Sequence, residues 1–121
     1  MGHLHSRVHL SADKTTTVRM LVDTGATYSM ISKDLAQTIG VRPLPRPVTI
    51  RLADGRRVKV EAATAIFGVA GREAPATILV GDVAGPILGV ETLEVLGLTV
   101  DRRGRRLRPS RQYAARLGGY R

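Results

Sequence analysis

The chain contains no cysteine and no tryptophan, and its only aromatic side chains are Tyr28, Phe67, Tyr113 and Tyr120. Without cysteine there is no disulfide framework, no thiolate nucleophile and no Cys-ligated zinc, and the redox compartment is left open. With so few rings the core has to be aliphatic. No apolar run approaches the roughly 18–20 residues that a membrane-spanning helix needs, and no signal peptide is expected ahead of the first polar residues. Acid is missing from one region in particular. Residues 102–121 hold eight arginines and no Asp or Glu, which leaves only +1 of the net +9 for residues 1–101. The basicity therefore belongs to the end of the chain, and a nucleic-acid reading from overall charge would concern that end and not the fold. A length of 121 residues suits one domain with a modest core. Residues 1–108 are expected to form it, followed by an Arg-rich tail over residues 109–121.

What is present is a regular punctuation by Gly and Pro, separating short runs rich in Val, Ile, Thr and Leu. That pattern indicates many short strands. Residues 4–10 and 15–23 read as a hairpin about the polar turn Ser11-Ala12-Asp13-Lys14. Ser32 is a good N-cap, Ile31, Leu35 and Ile39 recur at four-residue spacing, and Gly40 can end the helix they imply. Arg42, Pro43, Leu44, Pro45, Arg46 and Pro47 exclude helix and central strand and should run extended over the surface. Alternating residues on both sides of Asp54-Gly55 make residues 48–52 and 57–61 the clearest hairpin. A second hairpin is expected from residues 64–69 and 74–80, turning at 70–73. Gly85-Pro86-Ile87-Leu88-Gly89 reads as a short apolar strand, residues 91–96 as a short helix stopped by Gly97, and residues 98–101 and 106–108 as a last hairpin. The fold class is thus all-β, with one or two short helices.

Asp23 is out of place in this pattern. It ends the apolar run Met20-Leu21-Val22, although Asp and Gly are poor strand residues and an unpaired buried carboxylate is expensive. The residues after it are small or hydroxylic: Thr24 can bond to backbone, and Gly25 and Ala26 allow another chain close approach. The bland alternative is a strand-end Asp closing an Asx-turn.

Leu21-Val22-Asp23-Thr24-Gly25-Ala26-Thr27 resembles the active-site motif of retropepsin-type aspartic proteases. Ile87-Leu88-Gly89 is similar to that family's second motif, and the Asp54-Gly55 hairpin stands where the family places its flap. The order of motif, flap, apolar-apolar-Gly, helix and last strand matches over about residues 4–108, and the Asp-Thr-Gly-Ala-Thr form is most similar to the bacterial single-domain members. The resemblance implies a small closed barrel-like fold and hydrolysis of a polypeptide substrate with no cofactor and no metal. It further implies Asp23, Thr24 and Gly25 as the catalytic loop and Ala26 and Thr27 as backbone partners of a bound peptide. Ala53, Asp54 and Gly55 become the flap, and Ile87 and Leu88 the cleft wall. In aspartic proteases generally, two carboxylates share one proton because both cannot ionise together. This chain has one Asp-Thr-Gly. Asp54 and Asp82 sit beside glycines but follow no comparable apolar run, so the second carboxylate should be Asp23 of another copy in a C2 homodimer. Many viral members follow the late Gly with Arg and then Asn or Asp. Here Val90 and Glu91 follow it, so any dimer contact made by that arginine is absent or supplied differently.

Other readings compete. The same fold could serve as a catalytically silent dimerisation or peptide-binding module, and the basic end could act as an adaptor for nucleic acid, anionic membrane or another anionic partner. No aromatic platform other than Tyr113 and Tyr120 accompanies those arginines, which argues against sequence-specific nucleic-acid readout. His3, His5 and His9 alternate along one strand but have no acidic or Cys partner nearby, so a solvated strand is the better reading than a metal site. Met1-Gly2 with Ser6 fits a myristoylation pattern that is short and common by chance. A soluble domain of cytoplasm or periplasm fits the composition. A chain starting almost on a strand equally fits a piece of a longer protein, and the resemblance allows a membrane anchor in it.

Overall fold

The structure is a computed structural model that describes residues 3–103 and 105–110. The first two strands, β1 (His5–Ser11) and β2 (Thr15–Val22), form the expected antiparallel hairpin, with Val8 opposite Val18. A three-residue strand, β3 (Ser29–Ile31), leads into α1 (Lys33–Ile39). The helix is fixed at both ends by the residues expected to do so. The Leu35 N–H donates to Ser32 Oγ at 3.1 Å, and Gly40 takes the left-handed conformation at φ +75°. Residues 42–47 are exposed and carry no regular element, tied down by a hydrogen bond from Leu44 N–H to Ala62 O at 2.7 Å.

β4 (Val48–Arg51) pairs with the first part of β5 (Arg57–Val69), and β6 (Arg72–Val80) pairs with the rest of it. Two separate strands were expected where β5 is continuous. Glu61-Ala62-Ala63 contains no breaker, and each of these residues has a partner on β6, so nothing ends the strand there. The last elements are β7 (Ile87–Leu88), α2 (Val90–Leu96), β8 (Leu98–Asp101) and β9 (Arg106–Pro109).

The main sheet runs β1-β2-β7-β3-β6-β5-β4, and β1 also pairs with β5, with Leu10 opposite Phe67. That extra pairing joins the sheet to itself. Six strands thus form a closed ring, and β4 projects from it as the outer strand of the β4–β5 hairpin. β8 and β9 form a separate two-stranded sheet. Val8, Leu10, Met20, Ile31, Phe67, Ile78, Leu88 and Leu96 are fully buried inside the ring and under α2. Among the described residues the core is aliphatic around a single ring, that of Phe67, in keeping with the composition. The paired structure reaches slightly further than residue 108: Pro109 lies opposite Leu98, and Ser110 N–H donates to Gly97 O at 2.8 Å. The expected tail beyond that, residues 111–121, lies outside the described residues.

The β5–β6 turn is tighter than expected. Val69 pairs with Arg72, so only Ala70 and Gly71 form the loop, at φ +51° and +79°. Two successive left-handed residues are the type I′ geometry, which favours Asn-Gly. Ala70 carries a Cβ in a region that costs a non-Gly residue about 1–2 kcal/mol. Ala70→Asn is therefore expected to raise stability by about 0.5–1 kcal/mol, read as a higher urea midpoint at unchanged slope.

Candidate active site

β2 brings Asp23 out of the barrel wall on rigid backbone. β7 is inserted beside β2 in parallel, with Leu21 opposite Ile87 and Val22 opposite Leu88, while its other edge meets Met30 of β3. The ladder continues one step past the strand end, since Asp23 N–H donates to Leu88 O at 3.0 Å. The chain then turns, with Ala26 N–H bonded to Asp23 O at 3.1 Å and Gly25 N–H to Asp23 Oδ1 at 2.9 Å. Asp23 therefore does close an Asx-turn. One carboxylate oxygen accepts the turn's hydrogen bond, and the half-buried side chain is held at the mouth of the loop. The turn and the catalytic reading are compatible: the first fixes the group that the second needs.

A second set of bonds ties this loop to α2. The Val90 N–H donates to Ala26 O and the Glu91 N–H to Thr27 O, each at 2.8 Å. A helix leaves its first N–H groups without partners. α2 has no side-chain N-cap, and the loop carbonyls satisfy these donors in its place. Beneath them lies a buried node that the sequence reading missed. Ser29 Oγ lies 2.6 Å from Thr92 Oγ1 and accepts from Gly89 N–H at 3.0 Å. Thr92 was detectable as the one hydroxyl on the buried side of α2 beside Leu93 and Leu96, but its partner, 63 residues away, was not. Gly89 has a steric reason to be glycine. A Cβ there would lie 2.5 Å from the carbonyl carbon of Tyr28 and 2.9 Å from Ser29 N.

Residues 23–27 and 87–88 are thus brought together, while the two apolar residues of β7 divide their roles. Leu88 is fully buried in the core, and Ile87 is half-buried. Thr24, Gly25 and Thr27 are exposed, as are Ala53, Asp54 and Gly55 at the tip of the β4–β5 hairpin. Gly55 has φ +90°, and Arg56 donates to Asp54 from both its backbone N–H (3.0 Å) and its Nε (2.7 Å). First the backbone N–H and then the guanidinium hold the Asp54 carboxyl below the usual range. Beneath the hairpin runs a groove of about 800 Å³. From the hairpin side it is lined by Ile50, Leu52, Arg56 and Val58 rather than by residues 53–55, and from the barrel side by Met30 and Asp82, among others.

A model of the family described as "gag-polyprotein putative aspartyl protease" matches residues 8–95. The chain belongs to this family. The match begins within β1 and ends within α2, so it takes in the Asp23 loop, the hairpin over the groove, and the Ile87-Leu88-Gly89 strand of this aspartyl protease domain. The β8–β9 sheet lies outside it. A comparison with curated proteins returned no match.

The bonds behind and across from Asp23 can be tested one by one in this aspartyl protease domain. Ser29→Ala strands the buried Gly89 N–H and the Thr92 hydroxyl, and is expected to destabilise by about 1–3 kcal/mol in urea unfolding. Gly89→Ala should cost at least about 2 kcal/mol by overpacking. Adding Thr92→Val to Ser29→Ala should cost less than the sum of the two single changes, because both remove the same bond. At the hairpin tip, the depressed Asp54 value means that its bonds to Arg56 persist as pH falls through the ordinary Asp range. They are lost only as pH falls through the lowered value. The Arg56 amide resonance should therefore titrate below the ordinary Asp range, and Asp54→Asn should abolish that transition.

Proposed function

We propose that the protein is an aspartic endopeptidase that acts as a homodimer, with Asp23 of each copy forming one catalytic dyad. The observation that carries this reading is the anchoring of Asp23. Its backbone is bonded to β7 and its carboxylate to Gly25, in a loop fastened to α2, within a domain of the aspartyl protease family. The chain supplies one Asp-Thr-Gly, and a two-fold axis beside that loop would place its second copy opposite the first.

In this arrangement the dyad holds one proton between its two carboxyl groups. The ionised member takes a proton from a water molecule, whose oxygen attacks the carbonyl carbon of the peptide bond. The protonated member gives its proton to the carbonyl oxygen. Collapse of the tetrahedral intermediate returns a proton to the leaving nitrogen and breaks the C–N bond. The Gly25 carbonyl and the Thr27 N–H offer backbone groups to the extended substrate, the Ala26 N–H and carbonyl being already bonded to Asp23 and Val90, and Thr24 steadies the loop at the axis. The hairpin from β4 to β5 closes over the groove and excludes bulk water, with Ile50, Leu52 and Val58 facing substrate side chains.

The test uses an unstructured polypeptide such as denatured casein, assayed across acidic to neutral pH. Asp23→Asn should retain the fold and lose cleavage by at least about a thousandfold, on the scale of removing an essential acid–base group. Specific activity of the wild type should rise with protein concentration and then saturate, as a dimer requires. Cleavage that survives Asp23→Asn overturns the reading. A wild type that binds peptides without ever cleaving them makes the domain a binding module instead.

A further inference from the structure

The β8–β9 sheet is where the chain's charge is concentrated within the described residues. Arg102, Arg103, Arg105, Arg106 and Arg108 lie within seven consecutive residues, and all are exposed. The one acid of this hairpin is Asp101. It lies 3.8 Å from Arg106 Nε and accepts a hydrogen bond from the Arg103 backbone. The hairpin therefore carries a surplus of four positive charges on a domain that is otherwise near neutral.

Its position matters as much as its charge. Thr24 of the Asp23 loop and Arg102 line the same hollow of about 370 Å³, together with Val90, Glu94 and Val100. A neighbouring hollow of about 380 Å³ shares Thr24, Val90 and Glu94 with it. In a C2 dimer centred on the Asp23 loop, any group close to that loop lies close to its own counterpart. This inference rests on the dimer proposed above. The two hairpins then stand on either side of the axis, both strongly positive. Of the acids on this face, Glu91 accepts the Thr77 N–H at 3.2 Å, and Glu94 sits in the hollow itself. Even with Glu94 set against an arginine of the partner, each copy keeps a cationic excess. The repulsion is screened within about 8 Å at physiological ionic strength but reaches about 30 Å at 0.01 M salt.

We propose that this hairpin binds a multivalent phosphate anion that bridges two copies and so drives formation of the active dimer. Arginine forks suit closely spaced phosphate oxygens. The hairpin has no aromatic residue on which a base could stack, and among its described residues the one exposed apolar side chain is the small ring of Pro109, since Val100 and Leu107 are half-buried and pack against the core. That favours a free chain of phosphates over a nucleic acid or a membrane. The anion neutralises charge at the axis and changes no covalent bond.

The test is sedimentation equilibrium of the full chain, carrying Asp23→Asn to prevent self-cleavage, with inorganic tripolyphosphate as the probe. The dimer should tighten roughly tenfold or more between low and moderate NaCl, as screening removes the repulsion. Tripolyphosphate should do the same at constant ionic strength and saturate at one anion per dimer. Adding Arg103→Gln, Arg105→Asn and Arg108→Gln should tighten the anion-free dimer and remove the response. Asn is chosen at 105 because that residue has φ +50°. A dimer that weakens with salt and ignores tripolyphosphate overturns this inference while leaving the protease reading intact. Retention of the full response by the triple variant overturns it as well. So does tightening by an oligonucleotide or by phosphatidylglycerol vesicles but not by tripolyphosphate. A chain that binds tripolyphosphate through these arginines yet stays monomeric throughout contradicts the homodimer itself.

Discussion

Gly89 passes so close to the backbone of Tyr28 and Ser29 that no side chain fits between them. This approach sets the position of everything around Asp23. Because β7 can press against β3 there, its other edge is free to run beside β2, and the Leu88 carbonyl meets the Asp23 N–H. Because the chain then enters α2 immediately, the first N–H groups of that helix fall on the carbonyls of Ala26 and Thr27. The Ser29 and Thr92 hydroxyls close the contact from beneath, in a site where an unmade hydrogen bond would be costly. The loop that carries the carboxylate is therefore held by backbone bonds to both β7 and α2.

That division of labour accounts for the composition of the loop. The residues that face outward, Thr24, Gly25 and Thr27, are small, and none is needed to fill the core. In the proposed dimer that surface meets the second copy and the extended peptide. The barrel beneath supplies rigidity through an aliphatic interior, and the β4–β5 hairpin, which has no strand on its outer side, is the proposed cover. A hairpin paired along only one side opens at lower free energy than a strand held on both.

Much of this was legible in the sequence, for identifiable reasons. Strands bounded by turn residues, the Ser32 and Gly40 caps of α1, Gly97 at the end of α2 and the Asp54-Gly55 hairpin each depend on local chemistry written in a few adjacent residues. The closed all-β fold followed from their order and from the family resemblance of the Asp23 and Ile87-Leu88-Gly89 motifs. What escaped was non-local or too short to leave a pattern. β3 has three residues and exists because β6 and β7 flank it. The Ser29–Thr92 bond joins positions that share no local signal. Ile87 and Leu88 were expected together at the cleft wall from the family resemblance, which does not separate the fully buried Leu88 from its half-buried neighbour. The groove residues of the hairpin, Ile50, Leu52, Arg56 and Val58, were passed over for its tip because a turn is easier to read than the face beneath it.

The central claim is that two copies of Asp23 make one catalytic group, and a crystal structure of the assembled protein tests it most directly. The two Asp23 loops are expected to meet on a two-fold axis, with their carboxylate oxygens about 3 Å apart, the separation at which two such groups must share a proton. A stable, proteolytically active assembly in which the two loops lie on separate surfaces would contradict it.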